Sequence, residues 1–289
     1  MKIMNSHLKG ILITGFGVLV LTPDTMLMRL IDQDSHTMVF WRGISLGLAL
    51  LLAAWIEHHH SPINWKIQFK PGGWMIGLSF AVSSYCFILA IDYTSIANLL
   101  VILALIPLWA ALFSRILMRE HLPWQTLLTI FACFCGIVIV FFEGLKTQNH
   151  GLGELYALGA SIALGLNFTL IRYYKNINAS LMNGLGNLGL AALMLPLAPY
   201  WVISPPALYY SLILCLLVLP ISFYLIMVGP RYITSAEVGL LMLLETGLGP
   251  LWVWLVIGES PGFYTFIGGG ITVLSILLHA IWRVKLAKP

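Results

Sequence analysis

Long apolar runs follow one another along the chain, separated by short stretches of Gly, Pro and charged residues. A helix of about 20 apolar residues is long enough to cross the hydrocarbon core of a membrane. Dividing the chain at these interruptions predicts ten helices, at residues 9–31, 36–57, 72–91, 95–118, 123–142, 151–174, 179–198, 206–228, 235–257 and 262–283. The runs do not alternate between polar and apolar positions, so they predict a helical bundle.

Composition indicates the same class. Hydrophobic residues make up 60% of the 289 positions and charged residues only 9%, whereas soluble domains carry roughly 25% charged residues. The predicted fold class is therefore an all-α integral membrane protein. The basic residues lie between apolar runs rather than in one patch, so the net charge of +4 does not indicate a nucleic-acid partner.

No motif indicates a metal or a cofactor. The cysteines lie in apolar runs with neither a disulfide spacing nor a metal-ligand spacing, at Cys86, Cys133, Cys135 and Cys215. Gly184 to Gly189 matches a dinucleotide-binding pattern, but no strand precedes it, and tight helix packing explains these glycines better. The run from Glu57 to His60 ends a predicted helix. A solvated polar loop and a cytosolic metal contact are both compatible with it.

The loop charges predict the orientation. With the N-terminus in the cytoplasm, that side of the membrane receives twelve of the 15 Lys and Arg residues, and the outer side receives only Arg29 and Lys146. Cytoplasmic loops carry an excess of positive charge. The N-terminus leads into a full-length span without a small-residue cleavage site, which predicts a retained first helix. We therefore expect a protein of the inner membrane with both termini in the cytoplasm.

The chain also repeats itself. Three landmarks recur at one common offset: Tyr93 with Tyr232, Ala97 with Ala236, and Glu120 with Glu259. A second set recurs at another common offset: Gly10, Arg29 and Gly43 with Gly153, Arg172 and Gly186. Chance similarity between apolar segments is the alternative, although the matches include polar residues at span ends. The repeat predicts two halves, residues 1–146 and 147–289, with five helices each. An odd number of spans inverts the second half relative to the first, as in secondary transporters.

Four segments carry a family resemblance. The sequences LALIPLWAALFSRILMREHLP and LLETGLGPLWVWLVIGESP, and the opening LTPDTMLMRLI followed by FWRGISLGL, resemble the EamA-type repeats of the drug/metabolite transporter superfamily. The resemblance implies a bundle of ten helices that moves small metabolites by alternating access. It also implies a central cavity lined by the first, third, fourth, sixth, eighth and ninth helices. Arg119 departs from the family pattern, in which Gly more often precedes the Glu.

Glu245 is the leading candidate for function, because it lies in the middle of the apolar stretch 233–260. A carboxylate inside a membrane is costly unless it is paired, protonated or hydrated. Glu245 is predicted to carry protons or bind a cation, and the alternative is a structural acid bonded to neighbouring hydroxyls. The first repeat has Ile106 at the equivalent place, so the acid belongs to one half only. The helix is expected to bend or open beside this acid, and the predicted hinge residues are Pro23, Pro107, Gly247, Gly249 and Pro250.

Asp24 and Arg42 lie towards the outer ends of the first two helices, and a salt pair between these helices would satisfy both charges. The pair either fastens the outer end of the bundle or acts as an outer gate or substrate contact, since Pro23 frees a carbonyl nearby. Glu237 follows Arg231 in the sequence. These two residues are expected to form a surface or gate pair rather than a substrate site.

Aromatic and amide side chains in mid-span complete the predicted site. Tyr85, Trp109, Phe168 and Tyr224 are candidates for stacking on an aromatic or cationic solute, with packing or lipid contact as the alternative. Asn98 and Asn167 need partners inside a membrane. They are expected either to face the cavity or to bond between helices.

The sequence therefore predicts a secondary transporter, not an enzyme. Its substrate is a small polar or amphipathic metabolite, with an amino acid among the candidates, and protons are a candidate coupling ion. A passive facilitator or channel is the main alternative. An intramembrane enzyme or lipid scramblase is less favoured, because the spans contain no His-Glu-x-x-His or paired-Asp arrangement. The expected partners are the substrate and membrane lipid, and a homodimer is compatible with the pattern.

Overall fold

The computed structural model describes residues 2–60, 64–119, 151–198, 205–258 and shorter pieces between 124 and 139 and between 262 and 278. Its main helices are α1 (Lys2–Leu21), α2 (Asp24–Ile31), α3 (Ser35–His60), α4 (Trp65–Gln68), α5 (Pro71–Tyr93), α6 (Ile96–Leu103), α7 (Ile106–Met118), α8 (Leu152–Tyr173), α9 (Ala179–Met194), α10 (Pro205–Ile213), α11 (Leu219–Val228) and α12 (Ser235–Ile257). A π-helical turn, Leu214–Val218, joins α10 to α11, and a 3-10 turn, Gly229–Arg231, follows α11.

Seven stretches of the described chain are long and apolar enough to cross a membrane. They coincide with seven of the predicted runs, and the predicted run 179–198 is the shorter helix α9. The predicted helices 123–142 and 262–283 lie partly outside the described residues, and nearly all of their described residues are helical. The protein is therefore an all-helical integral membrane protein throughout the part that the structure describes.

The first span breaks at Pro23, between α1 and α2. Proline has no N–H, so it cannot donate to the carbonyl four residues before it. That carbonyl belongs to Leu19, and it accepts instead from the Thr22 hydroxyl at 2.9 Å. The indole of Trp252 on α12 donates to the same hydroxyl at 3.2 Å. The break thus places Asp24 at the start of a new helix. The Leu19 carbonyl and the Thr22 hydroxyl at the break both have hydrogen-bond partners.

The fourth span also breaks, at Ala104 and Leu105 just before Pro107, whereas α12 runs unbroken from Ser235 to Ile257. Of the predicted bend or opening beside Glu245, an opening between Gly247 and Pro250 is not observed in this conformation, and a bend there stays a prediction. Packing explains the continuity, because a methyl group on Gly249 would lie 2.6 Å from Leu100 Cδ1. This glycine lets another span approach closely, and its role as a hinge stays a prediction.

Glycines also allow close contact between α3, α5 and α9. A Cβ atom on Gly47 would lie 3.1 Å from the Gly184 carbonyl oxygen, and a Cβ atom on Gly186 would lie 2.2 Å from the Gly77 carbonyl oxygen. Side chains at these positions would force the helices apart. Tight packing thus accounts for Gly184 and Gly186, although Gly189 has open space around it.

The helices of the two halves pack in matching pairs. Helix α1 packs against α11 and α12, and α8, which begins the second half, packs against α5 and α7. The glycine landmarks take part in these contacts. A Cβ atom on Gly10 would lie 2.6 Å from Tyr232 Cβ, and one on Gly153 would lie 2.6 Å from the Tyr93 carbonyl carbon. Each glycine of one half therefore contacts the tyrosine landmark of the other half.

The fourth and ninth spans cross at the centre of the bundle. A Cβ atom on Gly239 would lie 2.7 Å from Pro107 Cα, and the Thr246 hydroxyl donates to the Leu100 carbonyl at 3.2 Å. The tyrosine landmarks are 139 residues apart. The same offset relates Leu100 to Gly239 and Pro107 to Thr246. The contact of Gly239 with Pro107 is therefore equivalent to the contact of Leu100 with Thr246, with the two halves interchanged.

Arg119, which departs from the family pattern, has an equivalent residue at the end of α12. Arg119 ends α7 in the left-handed conformation, with φ of 55°, and Gly258 ends α12 in the same conformation, with φ of 81°. These positions are also 139 residues apart. Glycine adopts this conformation without a Cβ penalty. The first half therefore places an arginine where the backbone favours glycine.

Candidate functional site

A small cavity of about 30 Å³ lies at the centre of the bundle. Its lining comprises Leu21, Asp24, Arg42, Phe80, Ser83, Ser84, Phe87, Leu103, Leu164, Phe223, Met242 and Glu245. All six helices that the resemblance implies as lining contribute to it, and Arg42 adds the second predicted helix. The cavity is therefore shared between the two halves of the chain.

Asp24 and Arg42 form the salt pair that the sequence predicts. The guanidinium donates from both terminal nitrogens, at 2.5 Å from Nη1 to Oδ1 and 2.6 Å from Nη2 to Oδ2. Both side chains are almost fully buried, with Arg42 3% exposed and Asp24 1% exposed. A fork-shaped pair of this kind fixes the direction of both groups. The guanidinium carbon also lies 5.1 Å from the centre of the Phe87 ring, in the range of a cation–π contact.

Glu245 enters the same cavity from α12 and is only 3% exposed. It makes no hydrogen bond or ion pair among the residues that the structure describes. The alternative that neighbouring hydroxyls hold this carboxyl is therefore not observed within that part of the chain. An unpartnered carboxyl inside a membrane is a site for a proton or for a positively charged group.

One face of α5 supplies four lining residues that were not predicted as site residues. Phe80, Ser83, Ser84 and Phe87 follow the spacing of neighbours on a helix surface, and all line the cavity. Ser83 donates to the Ala160 carbonyl at 3.0 Å, so it also joins α5 to α8. The adjacent serines in an otherwise apolar run were the available sequence signal for this face.

The lining combines two rings on α5 and a third on α11, Phe223, with three ionisable groups. Asp24 and Arg42 offset one another, so the net charge of the cavity depends on Glu245. A solute with an apolar body and a cationic end would match the rings and the unpartnered carboxyl.

Comparison with known proteins identifies the family. A family model described as the EamA-like transporter family matches residues 8–142 and again residues 151–281. The chain belongs to this family. An uncharacterised transporter of Synechocystis sp. is 20% identical over 227 residues, which cover 73% of this chain and 65% of the relative. The chain thus spans just under two thirds of that relative's length.

A solved crystal structure has the same fold. It superposes with a TM-score of 0.70 over 95% of this chain and 98% of the other, at 16% sequence identity. An identity this low supports the fold alone. The EamA-like assignment therefore rests on the family model.

The two predicted amides bond between helices in this EamA-like bundle. Asn167 on α8 donates to the Ile76 carbonyl at 2.9 Å, to Ser79 Oγ at 3.1 Å and to Asn183 Oδ1 at 3.0 Å. Asn98 on α6 donates to Glu154 Oε1 at 2.9 Å. Neither amide lines the central cavity. Of the two alternatives for these amides, the structure has the interhelical one.

The four predicted aromatic residues also lie outside the cavity lining. Phe168 is 1% exposed and belongs to the hydrophobic core. Trp109 stacks on Phe113, with ring centres 6.5 Å apart, and Tyr85 and Tyr224 pack against the core. Their contact with substrate stays a prediction, which requires the cavity to change shape.

Glu154 is a buried acid that sequence reasoning missed. It is 0% exposed at the first turn of α8, where Oε1 accepts from Thr94 at 2.5 Å and from Asn98. Its Oε2 atom has no hydrogen-bond partner among the described residues. The repeat pairs Gly10 with Gly153 and hence apolar Ile11 with Glu154. That mismatch was the sequence signal for a buried acid.

Polar contacts at the predicted cytoplasmic end join both halves. Arg231 pairs with Glu57 at 3.0 Å and not with its sequence neighbour Glu237. Glu237 caps α12 and contacts His7 at 3.1 Å. The predicted pair between Arg231 and Glu237 is therefore wrong, because each residue has a closer partner on another helix. Among the described residues, no group of side chains has the arrangement of a metal site.

Proposed function

We propose that this chain is a secondary transporter of the inner membrane that moves a small polar or amphipathic metabolite. The observation that carries the proposal is the central cavity, in which a buried ion pair and an unpartnered acid lie among aromatic rings. Ligand sites in proteins combine a largely apolar wall with a few well-placed polar groups. Amino acids are candidate substrates, because Glu245 offers a contact for an ammonium group.

The mechanism that we propose is alternating access between two inverted halves. The crossing of the fourth and ninth spans supports it. The contact of Gly239 with Pro107 and the contact of Thr246 with Leu100 join equivalent positions of the two repeats. The matching packing of α1 and α8 supports it as well. Transporters of this kind bind substrate between their repeats, near the middle of the membrane.

Proton coupling follows from the charges in the cavity. With Asp24 and Arg42 paired, ionised Glu245 leaves one negative charge in the membrane interior. A proton or a cationic substrate would remove that charge, and a membrane interior favours the neutral combination. Glu245 would then hold a proton in one part of the cycle and the substrate's positive end in another.

The orientation follows from the loops. Both termini are proposed to lie in the cytoplasm, with most of the basic residues, because cytoplasmic loops attract positive charge. On this assignment Glu57 and Arg231 lie on the cytoplasmic side, and their ion pair fastens that end of the bundle. A homodimer remains compatible with the proposal.

Purified protein in proteoliposomes tests the function. Uptake and counterflow are measured across a panel of amino acids, amines and organic acids, with and without an inward or outward pH gradient. Saturable counterflow for at least one solute, and accumulation above equilibrium when the pH gradient is applied, are expected. A lack of saturable flux for every solute would refute the transporter proposal.

A passive facilitator is the second candidate, because an open cavity also serves passive flow. It would give saturable counterflow without accumulation against a gradient. We do not propose an intramembrane enzyme or a scramblase, since the family is a transporter family.

A further inference from the structure

A second pocket lies at one membrane interface, away from the central cavity. It has about 900 Å³ of open space. The span Pro71–Tyr93 begins beside it and the span Leu152–Tyr173 ends beside it. Its walls come from the connection before α5 and the connection after α8. The pocket therefore lies at headgroup depth, whichever face of the membrane this is.

The pocket is basic. Lys70 and Lys175 line it from opposite connections, and both side chains are exposed. Neither lysine has an ion-pair partner among the residues that the structure describes. The two connections, residues 64–73 and 171–178, contain four Lys and Arg residues and no Asp or Glu. A negatively charged group would therefore gain from both lysines without meeting an acid on either wall.

The acid that contacts the second connection already has partners. Glu57 on α3 accepts from Asn178 Nδ2 at 2.7 Å, at the end of the second connection. It also pairs with Arg231 at 3.0 Å, so its charge is offset before it can act on the pocket. Glu57 does not line the pocket.

A buried side chain holds the two walls together. Gln68 is 2% exposed and accepts from the Asn178 backbone N–H at 2.6 Å. It also donates to the Asn176 carbonyl at 3.3 Å. The ring of Tyr174 lies against Gly72, where a Cβ atom would be 2.6 Å from the ring. The space between the lysines is thus set by the fold, and a ligand would not need to order two loose loops.

The surroundings match a lipid. Trp65, Phe69 and Trp74 flank the pocket in sequence and are 52%, 46% and 55% exposed. Aromatic rings of this kind concentrate at the level of the headgroups, and Tyr173 on the other wall is 45% exposed. Apolar tails would find exposed aromatic surface beside a basic headgroup site.

We propose that this pocket binds the phosphate headgroup of an anionic phospholipid. Basic pockets between membrane-spanning helices bind such headgroups, with each nearby Lys or Arg contributing about 1 kcal/mol. The lysines would hold the phosphate, and Tyr173 and Asn176 line the same pocket. The inference does not depend on what the central cavity transports.

Titration of the full-length protein with lipid, followed by native mass spectrometry, tests the site. The wild type is expected to bind phosphatidylglycerol more tightly than phosphatidylcholine. Lys70→Ala combined with Lys175→Ala is expected to weaken the first phosphatidylglycerol site about 30-fold, which corresponds to two lysines at about 1 kcal/mol each. Arginine at both positions should retain the affinity.

Two controls make the test decisive. Lys9→Ala with Arg119→Ala removes the same charge from exposed positions that lie outside the pocket lining and outside both connections, and it should change the affinity less than 3-fold. An equal loss in this control, or no preference for phosphatidylglycerol in the wild type, would overturn the proposal. Thermal protection by inorganic phosphate in phosphatidylcholine nanodiscs, as strong as that by phosphatidylglycerol, would assign the pocket to a soluble anion and overturn the lipid.

Discussion

The two spans that cross at the centre of the bundle, 96–118 and 235–257, occupy equivalent places in the two family repeats and differ in two features. The first span breaks at Ala104 and Leu105, and the second is one continuous helix. The second carries Glu245 where the first carries Ile106. Of these two spans, the first therefore supplies an interruption of the backbone and the second supplies a charge.

This division has a physical reason. A broken span exposes backbone carbonyls and can change its course at low cost, whereas an acid in the membrane needs a fixed and enclosed place. The continuous helix holds Glu245 in the cavity with Asp24 and Arg42. The comparison predicts that changes in the second span alter coupling, and that changes at the crossing alter stability first.

Replacing Glu245 should have the largest effect. Glu245→Gln keeps the size of the side chain and removes its ability to carry a proton or a charge. We expect uptake driven by a pH gradient to fall to the level without a gradient, while counterflow of the same solute persists at a raised KM, because the contact with its positive end is also lost. The measurement is initial uptake in proteoliposomes at several pH gradients. Glu245→Asp, which keeps the carboxyl, should retain part of the coupling, and a Gln variant with wild-type coupling would refute the role of this acid.

Breaking the buried ion pair should have the next largest effect. Asp24→Asn removes the bidentate partner of the buried Arg42 guanidinium, and the loss of one partner of such a pair costs about 3 kcal/mol or more. Thermal unfolding in detergent should record this loss. The double variant Asp24→Asn with Arg42→Gln removes both charges and should recover most of the stability. If the double variant unfolds as early as the single one, the pair is not the cause.

The sequence was sufficient for the class of fold and for the Asp24–Arg42 pair, and the family resemblance implied the helices that line the cavity. Ionisable residues in apolar runs are expensive, so their positions alone indicate the interior of the bundle. The lining face of α5 could not be predicted in the same way. In a membrane both the lipid-facing and the interior faces of a helix are apolar, so hydropathy does not distinguish them. Only Ser83 and Ser84 marked this face.

The breaks were harder to predict than the charges. Proline and glycine weaken a helix wherever they occur, but packing decides whether the helix opens. At Pro23 a neighbouring hydroxyl replaces the lost donor and the helix breaks. At Gly249 the side chain of Leu100 fills the space beside the helix, and the helix stays closed. Thr22 lies beside Pro23 in the sequence, whereas Leu100 is distant from Gly249, so no local pattern could reveal the second contact.

Adding a methyl group where the fourth and ninth spans cross should have a smaller effect. The effect should differ between two glycines of α12, Gly239 and Gly249. Gly239→Ala places a methyl group 2.7 Å from backbone atoms of Pro107, which cannot move independently, so we expect a loss of about 1 to 3 kcal/mol. Gly249→Ala meets the end of the Leu100 side chain, which shifts more easily than a backbone atom, and Thr25 Oγ1 at an ordinary contact distance of 3.5 Å, and alanine favours a helix. This matched variant should unfold within about 1 kcal/mol of the wild type. Equal losses would mean that the crossing is not a backbone contact.

The smallest effect concerns the ends of the two crossing spans. Arg119 adopts the left-handed conformation that Gly258 adopts in the second half, so Arg119→Gly should stabilise the protein by up to about 1 kcal/mol. The reverse change, Gly258→Arg, should destabilise it by a similar amount, because no atom within 4 Å would obstruct a Cβ atom there and the backbone alone sets the penalty. The two variants are compared by thermal unfolding at equal detergent and lipid. If both helices end in the same conformation for the same reason, the two variants must shift the unfolding temperature in opposite directions. A loss of stability in Arg119→Gly would mean that the arginine side chain has a role that Gly258 lacks.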